Sequence, residues 1–247
     1  MNKKNTIILK SIKKSLIASC QPISNGPLDT SDFVLGSAKA SLIGGAKALR
    51  IEGFHNLKKI KKNIDVPVIG IKKRILNKYP IIITPLLSDI EKLANLGADI
   101  IAFDSTERDR PFKIGKMISK IHSYKKIAMA DCSNIKDAII AQDNGADIIS
   151  TTLSGYIGNK YIPLKPDFRL LKNLINKFKL PIIAEGRFNT PAYFKKAINM
   201  GAHSVVIGTA LNRIELITGK FLNEIIPVIC KGENKLKIDE HSRAGMT

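Results

Sequence analysis

Apolar, β-branched runs recur along the whole chain: Ser15–Cys20, Ala46–Ile51, Val66–Ile71, Ile81–Thr84, Asp99–Asp104, Lys126–Asp131, Asp147–Thr152, Pro181–Glu185 and His203–Gly208. Between most of them lie segments with apolar residues at three- and four-residue spacing. "SDIEKLANLG" and "TPAYFKKAINMG" are examples, each closed by a glycine suited to a helix C-terminus. Strand, helix, glycine, strand is the pattern of βα units, and strands apolar on both faces belong to a sheet covered on both sides. Glycine-alanine pairs open several strands, in "IGGAKALRIEG", "LGADIIAFD", "NGADIISTT" and "MGAHSVVIG". That recurrence suggests one repeated unit, although Gly-Ala is also a convenient helix-to-strand loop.

Nine runs are one too many for an eight-stranded barrel. The connection "KKRILNKYP" between Val66–Ile71 and Ile81–Thr84 is too short for a helical crossover, so Ile81–Thr84 is expected to be a short strand within the loop after the third strand. Eight βα units in 247 residues then fit an α/β fold, a single-domain (β/α)8 TIM barrel over residues 15–229. A doubly wound sheet is the alternative, but no G-x-G-x-x-G follows any strand. Residues 1–14 form a leading extension and residues 230–247 a polar tail, both expected to fray.

In such barrels the chemistry sits at the C-terminal ends of the strands. Here those ends read Cys20-Gln21, Arg50, Lys72-Lys73-Arg74, Asp104, Asp131, Thr151-Thr152, Glu185-Gly186-Arg187 and Gly208-Thr209, nearly all polar or charged. Glu185 ends an apolar run and must be solvated, paired or used; Arg187 and Arg50 are candidate partners. Facing a lysine across the barrel mouth, it becomes a candidate acid or base. A lysine can serve as a base when burial and neighbouring cations lower its pKa, and Lys72-Lys73-Arg74 supplies such cations. Adjacent side chains on a strand point to opposite faces, so one of the two lysines enters the pocket, and spacing does not say which. "EGR" after strand seven and "IGTALNR" after strand eight place Gly186, Gly208 and Thr209 where barrels bind phosphate, with Arg187 or Arg213 to add a fork.

Other classes fit less well. Forty basic against 21 acidic residues give a formal charge of +19, but the lysines are scattered over helical faces and both tails, as in Lys58-Lys59 and Lys195-Lys196. A nucleic-acid groove would cluster them. Cys20, Cys132 and Cys230 show no paired spacing of a zinc site or disulfide framework, which favours a reducing compartment. The N-terminus holds no apolar stretch long enough for a signal-peptide core or a membrane span, so a cytoplasmic location is expected. His55, His122, His203 and His241 avoid the strand ends, which argues against a metal-dependent sugar-phosphate epimerase and leaves no metal site expected. A Schiff-base aldolase built on the same lysine is the rival enzyme reading.

The ordered stretches "SCQ", "LRIEG", "GIKKR", "ITP", "DSTERDRP", "MADCS", "STTLSGY" and "EGRFNTP" resemble the bacterial N-acetylmannosamine-6-phosphate 2-epimerase family over about residues 15 to 226. "GTALNR" at Gly208–Arg213 departs from the family pattern, with Ile214 in place of a proline. The resemblance implies a (β/α)8 barrel that interconverts N-acetylmannosamine 6-phosphate and N-acetylglucosamine 6-phosphate in sialic acid catabolism, with no cofactor and as a homodimer. It further implies that Lys73 carries the proton chemistry with Glu185 as its catalytic partner, and that Gln21, Arg50 and Asp131 face the substrate. Thr152 and Arg187 complete the expected substrate shell, and Gly186, Gly208, Thr209 and Arg213 the phosphate site.

Overall fold

The computed structural model describes residues 2–158 and 162–229. Strands β1 (Ser15–Ser19), β2 (Ala48–Glu52), β3 (Val68–Ile71), β4 (Ile100–Asp104), β5 (Ile127–Asp131), β6 (Ile148–Ser150), β7 (Ile182–Ala184) and β8 (Ser204–Ile207) pair in parallel, each with its sequence neighbour. β8 returns to pair with β1, from Ser15↔Ser204 to Ala18↔Ile207, and closes the barrel. Helices α2 (Ser31–Ile43), α3 (Phe54–Asn63), α4 (Leu87–Asn95), α5 (Ile114–Ser123), α6 (Ile135–Asp143), α7 (Phe168–Lys177) and α8 (Pro191–Met200) follow the first seven strands in turn. The short α9 (Thr209–Asn212) and then α10 (Ile214–Ile229) follow β8. Several helix starts are sealed by side chains: Thr30 accepts from Phe33 N at 3.2 Å, Asn134 from Asp137 N at 3.0 Å and Asp167 from Leu170 N at 2.8 Å. No helix among the described residues is long and apolar enough to cross a membrane.

Strand alternation divides the apolar residues into two cores. Ile17, Ala48, Ile69, Ile71, Ile100, Ala102, Ile127, Met129, Ile148, Ile183 and Val206 fill the barrel interior. The residues between them, such as Ala18, Leu49, Val68, Ile101, Ala128, Ile149 and Val205, pack under the helices. Extending the interior parity to the C-terminal strand ends selects Gln21, Arg50, Lys73, Asp104, Asp131, Thr152, Glu185 and Gly208. The same alternation that builds the core therefore aims these residues at one mouth.

Two expectations change. Ile81–Thr84 forms no strand; it folds back on the end of β3 with an antiparallel bridge between Lys73 and Ile83. Thr84 anchors this ribbon, its hydroxyl donating to Ala102 O at 2.7 Å, while Asp104 N donates to Ile83 O at 3.0 Å. Residues 1–14, expected to fray, include helix α1 (Lys3–Ser11), capped by Asn2, whose side chain accepts from Asn5 N at 2.9 Å. Ile8, Leu9 and Ile12 join the interior core, and His203 Nε2 meets Leu9 O at 2.8 Å. The barrel floor is open to water unless something apolar covers it, and α1 is that cover. Ile12, fully buried, should lose about 2–5 kcal/mol of stability on Ile12→Ala, read as a shift in the urea midpoint. The tail over residues 230–247 lies outside the described residues.

Candidate active site

The mouth of the barrel is organised by one buried cation. Arg50, only 1% exposed, donates from Nη2 to Asp131 Oδ2 at 2.6 Å and from Nη1 to Asp131 Oδ1 at 3.3 Å, and Nη1 also lies 3.0 Å from Glu185 Oε2. Two carboxylates from β5 and β7, which flank β6, thus share one guanidinium that reaches across from β2, in the bidentate geometry toward Asp131 that suits arginine better than lysine. Thr152 bridges them, donating to Asp131 Oδ1 at 2.8 Å and within 3.1 Å of Glu185 Oε2. Ser150 adds a bond to Asp131 Oδ1 at 3.1 Å and contacts the Thr152 hydroxyl. Burial opposes the charge on Arg50, but Asp131 and Glu185 outweigh it and hold its pKa above the ordinary range.

Lys73 is the lysine that enters. Lys72, on the other face, pairs with Glu52 Oε1 at 2.9 Å. Lys73 stands within electrostatic reach of Arg213, Arg50, Glu52 and Glu185. Burial, then the cations Arg213 and Arg50, pull its pKa down to about 7, against the pull of Glu52 and Glu185. Glu185 moves the other way: burial, aided by Asp131, pushes it up to about 7 against Arg50, the Thr152 bond and Lys73. The two groups therefore sit where one can hold a proton and the other accept it near neutral pH, which is the condition for acid–base work.

Beside Glu185 opens a cleft lined by Ser19, Gln21, Thr152, Tyr156, Glu185, Gly186, Arg187, Asn189, Gly208, Thr209 and Arg213. Its far wall carries the residues expected to bind phosphate. Gly186 adopts a left-handed backbone at φ +98°, which glycine reaches without steric cost. A side chain on Gly208 would crowd Ser19, whose Cβ lies 3.3 Å from the position of the added carbon. Arg213 is buried and donates from Nε to Gln21 O at 3.2 Å, tying the end of β1 to the segment after α9. Asn212 reinforces that tie, donating to Ser19 O at 2.8 Å and contacting the Ser37 hydroxyl.

Some expected roles take a different form. Asp131 is fully buried beneath Arg50 and presents no surface to the cleft, because its oxygens are taken by Arg50, Ser150 and Thr152. Arg187 lines the cleft but uses Nε on Lys165 O at 2.9 Å and Nη1 on Ser154 O at 2.7 Å, with its guanidinium 5.1 Å from the centre of the Tyr156 ring. It holds the loop after β6 in place. Gln21 donates from Nε2 to the Ser19 hydroxyl at 2.7 Å and leaves its buried Oε1 with no hydrogen-bond partner among the described residues, a polar atom at the cleft wall suited to a substrate donor. Glu52, Thr84, Ser150, Tyr156 and Asn212 escape sequence reasoning. Four lie inside stretches that carry the resemblance, Glu52 in "LRIEG", Thr84 in "ITP" and Ser150 and Tyr156 in "STTLSGY", and Asn212 lies in "GTALNR", but no spacing singled any of them out.

A family profile described as "Putative N-acetylmannosamine-6-phosphate epimerase" matches residues 34–226, most of the chain. The chain belongs to this epimerase family. A relative from Pasteurella multocida (strain Pm70), named an N-acetylmannosamine-6-phosphate 2-epimerase with the same qualifier, is 48% identical over 88% of this chain and 95% of its own. One of the same name from Haemophilus influenzae is 46% identical, again over 88% and 95%. The solved structure of the N-acetylmannosamine-6-phosphate 2-epimerase from Clostridium perfringens superposes with a TM-score of 0.85, at 38% identity, covering 87% of this chain and 95% of that one. The segment "EGRFNTP" lies within the residues that the family profile matches and carries Glu185 to Arg50.

Proposed function

We propose that this chain epimerises N-acetylmannosamine 6-phosphate to N-acetylglucosamine 6-phosphate, in sialic acid catabolism, by moving the proton on C2. The observation that carries the reading is Glu185, bound to Arg50 at 3.0 Å and facing Lys73, with both titrating groups displaced toward neutrality. Opening of the sugar ring exposes an aldehyde at C1 and makes the C2 proton acidic. In this reading the Lys73 amine takes that proton and Glu185 exchanges one with the ring or carbonyl oxygen. The electron pair of the C2–H bond passes into an enolate, the C2–C3 bond turns to present the opposite face, and the Lys73 ammonium returns a proton to C2 there, which inverts the centre and regenerates the amine. Arg50 offsets the negative charge of the enolate, and Asp131 supports it from below by orienting the guanidinium. Gln21 and Thr152 contact the open chain. Gly186, Gly208, Thr209 and Arg213 hold the phosphate, whose binding energy positions C2 against the lysine. We further propose that the barrel over residues 15–229 works as a cytoplasmic homodimer.

Proton NMR with N-acetylmannosamine 6-phosphate in heavy water tests the reaction. Conversion with deuterium appearing at C2 is expected; no conversion by folded protein that still binds the sugar phosphate would sink the proposal. The rate should also depend on pH as a bell centred near 7. On the acid side both Lys73 and Glu185 hold protons, and on the alkaline side neither does, so the state with one proton between them is lost in both directions. A rate that keeps rising from pH 7 to 9 would contradict this assignment.

A further inference from the structure

The backbone around Lys73 is held in an unusual way for a residue at a strand end. On either side of it the ribbon bonds are made by backbone and by Thr84: Lys72 N donates to Thr84 Oγ1 at 3.2 Å, Thr84 N to Lys72 O at 2.7 Å and Arg74 N to Ile82 O at 3.0 Å. Lys73 lies between them, and the alternation of an antiparallel pair turns its own N–H away from that partner. The N–H is met instead by a side chain, Glu52 Oε1, at 3.1 Å. The same oxygen accepts from Lys72 Nζ at 2.9 Å. Glu52 in turn ends β2, two residues beyond Arg50 on the interior parity, and its carbonyl accepts from Asn56 Nδ2 at 3.0 Å.

We propose that Glu52 is a positioning residue for Lys73: its carboxylate fixes the backbone from which the amine reaches C2 and supplies an anion among the cations that surround it. The inference rests on the proton-transfer reading of Lys73. The charged groups facing Lys73 are Arg50 and Glu52 from β2, Glu185 from the end of β7 and Arg213 from the segment after α9. On its own segment, Arg74 is already engaged by Asp89 at 2.8 Å and Lys72 by Glu52. Glu52 is thus one of two anions weighed against two cations, and it is the one that also holds the Lys73 backbone.

Two substitutions separate the parts. Glu52→Gln keeps an oxygen for the Lys73 N–H and removes the charge, so kcat should stay within a few-fold of the parent. The acid limb of the rate profile should move to lower pH by about one unit, because a lysine that has lost an anionic neighbour releases its proton more readily. Glu52→Ala removes the tether as well and should lower kcat by about tenfold or more, with KM little changed. Lys72→Ala, which removes the other partner of that oxygen, should leave kcat near the parental value. The experiment is kcat, KM and C2 deuterium exchange of the full-length protein from pH 5.5 to 9, with the folded fraction of each variant measured by circular dichroism. Absence of C2 exchange in the parent would overturn the reaction itself and is distinguishable from failure of the Glu52 variants alone. The role assigned to Glu52 falls if Glu52→Ala keeps the parental kcat and profile, if its loss equals the loss of folded protein, if the acid limb of Glu52→Gln does not move, or if Lys72→Ala reproduces the loss.

Discussion

Lys73→Ala is expected to remove turnover and C2 exchange together, a loss of about 10²–10⁴-fold or more, while binding of the sugar phosphate stays measurable by calorimetry. The reason is positional as well as chemical. Lys73 follows Ile69 and Ile71 on the interior parity of β3, and the surrounding charges bring its pKa to about 7. The proposed phosphate contacts are Gly186, Gly208, Thr209 and Arg213, which line the cleft beside Glu185, so binding should not depend on the amine. Lys73→Arg sharpens the test. A guanidinium keeps the positive charge but does not give up its proton in this pH range, so the variant should be nearly as inactive as alanine. Substantial exchange by Lys73→Arg would mean that the lysine acts as a fixed charge rather than as a proton carrier.

Arg50→Met should have the largest effect on stability, a loss of about 3–5 kcal/mol at pH 7, because it strips the cation from two carboxylates at once. Asp131 is fully buried and Glu185 only 11% exposed at the cleft wall, so water can replace little of the lost cation. Glu185, which burial already pushes up and Arg50 holds down, would rise further in the folded state. A folded state that holds protons more tightly than the unfolded chain loses stability as pH rises through the gap between the two pKa values. The deficit relative to the parent should therefore be smaller at pH 5 than at pH 8, measured by urea denaturation at both. Equal deficits at the two pH values would show that the loss is one of packing alone. Activity should vanish with the guanidinium, since Arg50 is also the group placed to meet enolate charge.

The barrel could be counted from local pattern because each βα unit announces itself within a few residues, through an apolar run, an amphipathic segment and a glycine. The register of the strands could not be, and Lys72 against Lys73 shows why. In β3 the sequence Val68-Ile69-Gly70-Ile71 is apolar on both faces, so it carries no alternation from which to extrapolate. Only closure of the sheet, which places Ile69 and Ile71 inside and Val68 under the helices, decides that Lys73 points inward. Resemblance to the epimerase family pointed to the same lysine, but on the strength of a motif and not of a direction. Asp131 and Arg187 illustrate the converse. Their positions at the barrel mouth were visible in the sequence, yet their partners were not. Asp131 turned down to Arg50, and Arg187 turned outward to the carbonyls of Ser154 and Lys165, 33 and 22 residues away in the chain.

The leading segment carries the same lesson at the other end of the barrel. Ile8, Leu9 and Ile12 among lysines look like an exposed tail when read along the chain, and become a plug once there is an open barrel floor to cover. By itself, then, the sequence determined the number and order of βα units, the face on which polar residues gather and the chemistry those residue types allow. All of these follow from interactions between neighbours in the chain. The tertiary structure alone decided which lysine enters, that Arg50 is shared by Asp131 and Glu185, that Glu52 holds the lysine backbone and that α1 closes the floor. Each of those depends on the distance and burial between residues far apart in sequence, which exist only once the barrel has closed.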